Sequence, residues 1–124
     1  MKVLPIVGVA VLVATSLPAI AGDASHGKDL FAATCAKCHV ITAEGDPDMV
    51  GPSLKGIVGR KAAGREDFRY SSAMRKSGIT WSQKDLKEYI PNPQAKVPGN
   101  RMALTKAFEP SEVDDLVAYL ETLK

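Results

Sequence analysis

Cys35-Ala36-Lys37-Cys38-His39 is the segment of this sequence with the most specific chemistry. On a helix, cysteines three residues apart project from the same side, with their Cβ atoms about 5–6 Å apart, and His39 lies one turn from Cys35. Two thiols placed in this way can add to the two vinyl groups of one haem while the imidazole binds its iron. The segment therefore predicts one covalent haem c, with Cys35 and Cys38 as anchors and His39 as an iron ligand.

Three other uses of the two cysteines stay open from the sequence. A Cys35–Cys38 disulfide is compatible with an exported chain. A thioredoxin-like exchange pair would require a βαβ pattern, whereas the sequence has no alternating run long enough for a sheet. A zinc site needs four ligands, so His26 would have to join, although it lies ~13 Å before Cys35 along one helix. All three explain the segment less well than haem attachment does.

A haem iron bound by one histidine has a second axial position, and methionine sulfur there raises the reduction potential. The chain after residue 21 offers Met49, Met74 and Met102. Met102 follows a proline-rich stretch that ends in Pro98-Gly99 and is stiff enough to hold a side chain across a ligand from the cysteine segment. His26 is disfavoured because its helix leads straight into that segment. Met102 is therefore a candidate second ligand, and ordinary core packing is the alternative use of any of these methionines.

Length and composition restrict the class of protein. The chain has 124 residues, 45% hydrophobic and 24% charged, values typical of one small globular domain. Its formal net charge of +2 is far from the dense basic surface that nucleic-acid binding requires. A domain of this size buries only about two thirds of the surface of its unfolded chain. A large apolar ligand that adds to the core is compatible with these values.

The N-terminal segment has the organisation of a secretory signal peptide. Lys2 provides a positive start, residues 3–17 are uncharged and mostly apolar, and Ala19-Ile20-Ala21 is a small-x-small cleavage motif. An uncleaved membrane anchor is the alternative, since the stretch approaches the ~20 apolar residues of a spanning helix. Its prolines and its glycine favour cleavage. We expect residues 1–21 to be removed, residues 22–124 to form one domain, and the mature protein to be periplasmic.

Three amphipathic helices are predicted. The last begins with a Ser111–Asp114 capping pattern and runs to the C-terminus, and an earlier one begins at Ser82 and must end before Pro91. The first runs from about Asp23 into the cysteines, and residues 71–76 form one or two further turns. Two other segments lack any period and are predicted to be loops: residues 45–64 and 91–101. The pattern predicts an all-α domain in which the loops outweigh the helices.

A glycine inside the first predicted helix indicates a helix crossing. Gly27 lies one turn before Phe31, and glycine in a helix costs ~1 kcal/mol relative to alanine, so it usually has a packing reason. The amphipathic C-terminal helix is the obvious partner. We expect Gly27 and Phe31 to pack against Leu116 and against Tyr119 or Leu120.

Ordered local matches over nearly all of residues 22–124 resemble class I cytochrome c, the mitochondrial type and its bacterial relatives. The matching segments are Gly22-Asp23 through His39, Gly51-Pro52-Ser53-Leu54, Gly56, Gly59-Arg60-Lys61, Tyr70-Ser71-Ser72-Ala73, Gly78-Ile79-Thr80-Trp81, Tyr89, Asn92-Pro93, Val97-Pro98-Gly99-Asn100-Arg101-Met102 and Asp115-Leu116-Val117-Ala118-Tyr119-Leu120. The resemblance implies the class I cytochrome c fold, with three to five helices and long loops wrapped around one covalently bound haem.

The resemblance also implies roles for individual side chains. His39 and Met102 would be the axial iron ligands, and Cys35 and Cys38 the thioether anchors. The other implied cofactor-binding residues are Pro52, whose carbonyl accepts from the His39 ring, Arg60, Tyr70 and Trp81 near the haem propionates, and Tyr89 near the Met102 sulfur. Such partners make physical sense because a buried propionate without them would be costly.

An electron carrier is the function that the resemblance implies. The exported protein would cycle one haem between Fe(II) and Fe(III) and dock by its haem edge on membrane or soluble redox proteins, such as a reductase and an oxidase of a respiratory chain. It would be a monomer that transforms no substrate, binds no nucleic acid and spans no membrane after signal cleavage. A haem peroxidase is the rival function and would need an open sixth position.

Docking depends on surface charge, and here the sequence departs from the family. A Lys-rich stretch usually precedes its Tyr-Ile-Pro-Gly, whereas Gln94-Ala95-Lys96-Val97 carries one lysine. We therefore expect a weaker positive ring around the haem edge. Its candidate members are Lys37, Lys55, Lys61, Lys96, Arg101 and Lys106.

Overall fold

Helices and long loops make up the computed structural model, which describes residues 1–15 and 22–124. In these two ranges the chain forms five α-helices: α1 (Ala24–Ala33), α2 (Ser72–Lys76), α3 (Gln83–Tyr89), α4 (Pro93–Lys96) and α5 (Pro110–Glu121). A short 3₁₀ helix covers Cys35–Lys37, and Lys61 and Thr80 form an isolated antiparallel bridge. The predicted all-α fold with three to five helices is confirmed.

Helix α1 ends before the cysteines, so the prediction of one helix running into them was wrong. The backbone leaves helical geometry at Thr34, whose N–H is shared between two α1 carbonyls at 3.0 and 3.3 Å. The chain then tightens, and the N–H groups of Cys38 and His39 both donate to the Cys35 carbonyl, at 3.0 and 2.9 Å. Because a 3₁₀ helix has three residues per turn, Cys35 and Cys38 still lie on one side.

The predicted crossing of the first and last helices is confirmed. A Cβ atom on Gly27 would lie only 1.9 Å from the Asp115 carbonyl oxygen in α5, so the two backbones are in contact there. One turn on, the rings of Phe31 and Tyr119 pack edge to face with centroids 5.4 Å apart. Leu116, at 1% exposure, lies among the most buried side chains of the core.

His26 lies at the same crossing. Its Nδ1 contacts Asp115 Oδ2 at 2.6 Å, and Asp115 Oδ1 accepts from the Asp23 backbone N–H at 2.6 Å. The hydrogen bond to Asp115 is the main cause that raises the pKa of His26, and the same bond lowers the pKa of Asp115. His26 therefore has a structural partner between α1 and α5.

The predicted starts of α2 and α3 are confirmed by their caps. Ser71 Oγ accepts from the Met74 N–H at 3.0 Å, and Ser82 Oγ accepts from the Asp85 N–H at 3.1 Å. The Ser82 hydroxyl also donates to the Asp85 carboxylate at 2.8 Å. Helix α3 ends at Tyr89, before the proline, as predicted.

Helix α4 was not predicted, and the start of α5 differs from the prediction. Both helices have proline at their first position, a start signal that the sequence analysis did not use. Helix α5 begins at Pro110 with Glu109 as its cap residue, and the Glu112 carboxylate accepts from the Glu109 N–H at 2.9 Å. The Ser111–Asp114 start is therefore wrong. Helix α4 occupies four residues of a segment predicted to be a loop, and Asn92 caps it through the Ala95 N–H at 3.2 Å.

Residues 1–15 are exposed and contain no helix or strand. The predicted cleavage motif at residues 19–21 lies outside the described residues. No helix in the described ranges is both long and apolar enough to cross a membrane.

Candidate haem site

A cavity of about 690 Å³ lies against the cysteine segment, the loop that follows it, α3 and the loop that carries Met102. Its volume is within the ~300–1,000 Å³ that ligand sites usually have. All nine predicted site residues line it: Cys35, Cys38, His39, Pro52, Arg60, Tyr70, Trp81, Tyr89 and Met102. One ligand in this cavity can therefore contact side chains that lie far apart in the sequence.

Several apolar side chains that line the cavity were missed by the sequence analysis: Leu54, Ile57, Phe68, Leu104 and Phe108. Phe68 packs edge to face on Tyr70, with ring centroids 4.9 Å apart. These residues lie in segments without helical or strand periodicity, so no sequence pattern shows which way they face. They supply apolar walls that a large, mostly apolar ligand requires.

His39 lines the cavity, and one of its ring nitrogens is held by the loop that follows the cysteine segment. Its Nδ1 lies 2.7 Å from the Pro52 carbonyl oxygen, which can only accept, so Nδ1 carries the hydrogen and donates it. Burial is the main cause that lowers the pKa of His39, and the bond to Pro52 opposes it. A neutral imidazole in this tautomer has the Nε2 lone pair available for a metal.

Gly51 lets the Pro52 loop lie directly on the His39 ring. A Cβ atom on Gly51 would lie 2.5 Å from His39 Cε1, closer than real Cβ contacts allow. The Gly51 N–H also donates to the Cys38 carbonyl at 3.0 Å. The position therefore requires glycine because any side chain would collide with the His39 ring.

Cys35 and Cys38 are half-buried and form no disulfide with each other. Burial, with a smaller contribution from the Cys38 thiol, raises the pKa of Cys35 to about 11. Thiols used for exchange chemistry usually have a lowered pKa, so the raised pKa of Cys35 does not favour the thioredoxin-like alternative. In the parts of the chain that the structure describes, no group of three His, Cys, Asp or Glu side chains is arranged to hold a metal ion.

Arg60 brings a positive charge to the cavity and holds its loop in place. Its guanidinium donates to the carbonyls of Lys55 and Ser53 at 3.0 and 2.9 Å. Burial lowers its pKa, but an arginine remains charged at any physiological pH. With five donors in the group, N–H groups remain for an acidic ligand. The backbone N–H of Trp81 donates to the Arg60 carbonyl at 2.8 Å. The ring of Trp81 packs against that of Tyr89, with centroids 4.8 Å apart.

Met102 and Met74 both line the cavity, whereas Met49 does not. The Met102 N–H donates to Asn100 Oδ1 at 2.7 Å, and the Tyr89 hydroxyl donates to the same oxygen at 3.3 Å. Burial raises the pKa of Tyr89 to about 12, so its hydroxyl keeps its proton. Asn100 was not among the predicted site residues. A polar residue after Pro-Gly has no sequence signature that distinguishes it from an ordinary turn.

The donor set fits a covalently bound haem. Two thiols three residues apart, a neutral imidazole, the Met102 thioether and the Arg60 guanidinium line a cavity whose walls are otherwise largely apolar, with further basic side chains among its lining residues. Thiols suit vinyl addition, nitrogen and sulfur suit haem iron, and a guanidinium suits a carboxylate. The fold and this site define a small α-helical protein of the c-type haem class.

Comparison with known proteins names the family within that class. The sequence model of the cytochrome c family matches residues 24–124, and the chain belongs to this family as a class I cytochrome c. It is a haem-containing electron carrier with one covalently bound haem c, for which Cys35 and Cys38 provide the CxxCH motif.

The similar proteins come from several lineages. A cytochrome c2 of Agrobacterium tumefaciens (strain II Chrys) is 43% identical over 102 residues, which are 80% of this chain and 90% of the relative. A cytochrome c of Tetrahymena pyriformis is 45% identical over 102 residues, 82% of this chain and 90% of the relative. The solved structure of cytochrome cH from Methylobacterium extorquens has 44% identity and a TM-score of 0.73, and covers 82% of this chain and 99% of its own.

Proposed function

We propose that the protein is an exported one-electron carrier that docks transiently between redox proteins and transforms no substrate. One observation carries this proposal: Cys35, Cys38, His39 and Met102 line the same cavity. Two thiols, an imidazole and a thioether are the groups needed to attach one haem and to ligate its iron on both sides. A site saturated by protein ligands favours electron transfer over chemistry on a bound substrate.

Each of these side chains has a role in the proposal. A bound haem supplies the one-electron Fe(III)/Fe(II) couple. Cys35 and Cys38 would anchor it through thioether bonds, and His39 would bind its iron through Nε2, since its Nδ1–H donates to Pro52. Met102 would bind the iron through its thioether sulfur. The remaining predicted site residues partner the propionates or pack on the ring: Arg60, Tyr70, Trp81 and Tyr89.

The rival function, a haem peroxidase, requires an open or labile sixth position. The Met102 backbone is held by Asn100, and Asn100 is in turn bound to Tyr89 in α3. A ligand on a segment attached in this way favours a closed site at rest. We therefore propose an electron carrier that is not an enzyme.

Export and processing are part of the proposal. The uncharged segment 3–17 after Lys2 and the Ala19-Ile20-Ala21 motif support a signal peptide over residues 1–21. The mature domain would then be residues 22–124, working as a periplasmic monomer. Its partners would be membrane or soluble redox proteins, such as a reductase and an oxidase of a respiratory chain.

Haem attachment and signal-peptide cleavage are tested together by measuring the intact mass of the protein after denaturation in acidic acetone. We expect the colour and the mass of one haem to stay on a chain that begins at Gly22, because both thiols form bonds that acid does not break. Cys35→Ala and Cys38→Ala together serve as the control and should lose the haem to the acetone. A wild-type mass equal to that of the chain from Gly22 without haem contradicts the proposal, and a mass beginning at Met1 contradicts only the cleavage.

The proposed docking surface is the charged rim of the cavity. Four basic side chains line the cavity and are exposed: Lys37, Lys61, Arg69 and Arg101. Among the salt bridges of the described residues, none involves these four. Such a rim would steer an acidic partner and would act mainly on the association rate.

Two members of the expected positive ring are neutralised by neighbours, which corrects the sequence analysis. Lys96 Nζ lies 3.0 Å from the Asp85 carboxylate and also pairs with Glu88, and only 21% of its side chain is exposed. Lys106 pairs with Glu112 at 2.9 Å. Their charges contribute little to a field at the cavity rim, because each is compensated by an acid in direct contact.

Electron transfer with an acidic partner should therefore slow as salt rises, since the Debye length is only ~10 Å at 0.1 M. Stopped-flow rates measured against ionic strength check this. Charge reversal of Lys37 or Arg101 should flatten the dependence, whereas reversal of Lys124 at the C-terminus should leave it near that of the wild type. Rates that ignore ionic strength, or equal effects of all three reversals, would instead indicate docking through apolar contacts.

A further inference from the structure

The side chain of Asn100 forms four hydrogen bonds two residues before the proposed ligand Met102. Its Nδ2 donates to the carbonyls of Pro93 at 2.9 Å and Val97 at 2.8 Å. Its Oδ1 accepts from the Met102 N–H at 2.7 Å and from the Tyr89 hydroxyl at 3.3 Å. Asn100 as a residue is only 7% exposed, and two donated and two accepted bonds use the full capacity of its amide inside the protein.

The chemistry of the partners determines the orientation of this amide. Two of them are carbonyl oxygens, which can only accept, and one is a backbone N–H, which can only donate. Turning the amide over would place its oxygen against two carbonyls and its NH₂ against an N–H. The four contacts are therefore one arrangement that links α4, α3 and the segment that carries Met102.

The exposed side chain of Gln94 supports the same turn from outside. Gln94 Nε2 donates to the Asn100 carbonyl at 2.8 Å, and its Oε1 accepts from the Gly99 N–H at 3.3 Å. The Asn100 N–H closes the turn onto the Val97 carbonyl at 3.1 Å, and Gly99 takes a φ of +85°, which favours glycine. After this turn, residues 101–109 contain no helix or strand.

We propose that Asn100 is a positioning residue for the haem ligand Met102. Its side chain holds the Met102 backbone against α3 and α4. This inference rests on the proposed role of Met102 as that ligand. In an irregular segment, local opening is opposed only by such specific contacts. Loss of the Asn100 amide would therefore raise the fraction of molecules in which the thioether has left its position and a small exogenous ligand can take it.

The test compares Asn100→Ala with the wild-type holoprotein, using imidazole as the probe. We expect the ferric variant to bind imidazole at least about tenfold more tightly. A tenfold change requires the closed form to lose only ~1.4 kcal/mol of stability relative to the open form. Hydrogen exchange of the Met102 N–H should accelerate by a similar factor. Unchanged values for both quantities in a folded variant would overturn the proposal.

Asn92→Ala is the matched control. It also removes an asparagine side chain from the α4 region, where it caps the helix, but Asn92 is exposed and its side chain forms no hydrogen bond to the Met102 segment. We expect it to lower the melting temperature without changing imidazole affinity or Met102 exchange. If Asn92→Ala shifts both as much as Asn100→Ala does, general destabilisation explains the effect and the positioning role is lost.

Two further variants separate this inference from the ligand assignment. If Met102→Ala binds imidazole more tightly but Asn100→Ala does not, the positioning role fails while the ligand assignment stands. If Met102→Ala leaves imidazole affinity unchanged, Met102 is not the ligand and both fail. Should Asn100→Ala not fold, Asn100→Ser, which is too short to reach all four partners, replaces it, and wild-type imidazole affinity in that variant would overturn the proposal.

Discussion

Met102→Ala is expected to lower the reduction potential by on the order of 0.2 V, a quarter of the ~0.8 V that axial ligands span. Sulfur ligation stabilises Fe(II), so its loss favours the oxidised state. The same variant should bind cyanide when oxidised and carbon monoxide when reduced, both far more readily than the wild type does. Potentiometric titration and ligand titration measure these effects.

Met74→Ala is the control for this prediction because Met74 lines the same cavity. It sits in α2, where its backbone N–H is used by the Ser71 cap. We expect this variant to change the potential little and to leave the site closed to both ligands. The opposite result, a closed site in Met102→Ala and an open one in Met74→Ala, would transfer the ligand role to Met74.

Gly27→Leu should destabilise the fold by about 3 kcal/mol or more, out of a total stability that is typically ~5–15 kcal/mol. The cause is the contact between backbones: even a Cβ at this position would lie 1.9 Å from the Asp115 carbonyl oxygen and 2.9 Å from the Tyr119 Cβ. The two helices would have to separate, which would also disturb the packing of Phe31 on Tyr119. Denaturant unfolding of the holoprotein measures the loss.

Ala32→Leu is the matched control, since Ala32 lies in the same helix but is exposed. Leucine has a higher helix propensity than glycine and a slightly lower one than alanine, so helix propensity cannot account for a loss of stability confined to Gly27→Leu. The control should stay within about 0.5 kcal/mol of the wild type, as surface substitutions usually do. Equal stabilities of the two variants would contradict the role of Gly27 in the crossing.

The helices could be predicted wherever a local pattern specifies them. A serine cap with an acid three residues on predicted the start of α3, and proline ended α3, because capping and the missing proline N–H act within one turn. The same local reasoning misplaced the start of α5, where Pro110 and Glu112 outweigh Ser111. It also extended α1 through Thr34, where the chain tightens into a 3₁₀ turn.

Some residues of the candidate site could likewise be predicted from the sequence, and others could not. The Cys35–His39 segment predicted thiols and imidazole on one side, because its chemistry depends on spacing along the chain. Resemblance to a family supplied Met102, Pro52 and the polar cofactor-binding residues, and the structure brings them to one cavity. Their roles as ligands and propionate partners stay predictions. Phe68 and Leu104 could not be found, because residues in irregular loops have no period that shows which way they face.

The sequence by itself determined the chemistry of haem attachment and indicated the helix crossing. Both signals are local: the CxxCH motif and the glycine one turn before Phe31 each lie within one or two helical turns. What only the tertiary structure decided is which polar side chains meet between neighbouring elements. The Asn100 amide joins α3, α4 and the Met102 segment, and Lys96 pairs with Asp85 and Glu88, because these elements pack against one another. Hydrogen bonds and ion pairs act over about 3–4 Å, so their partners are known only once the chain has folded.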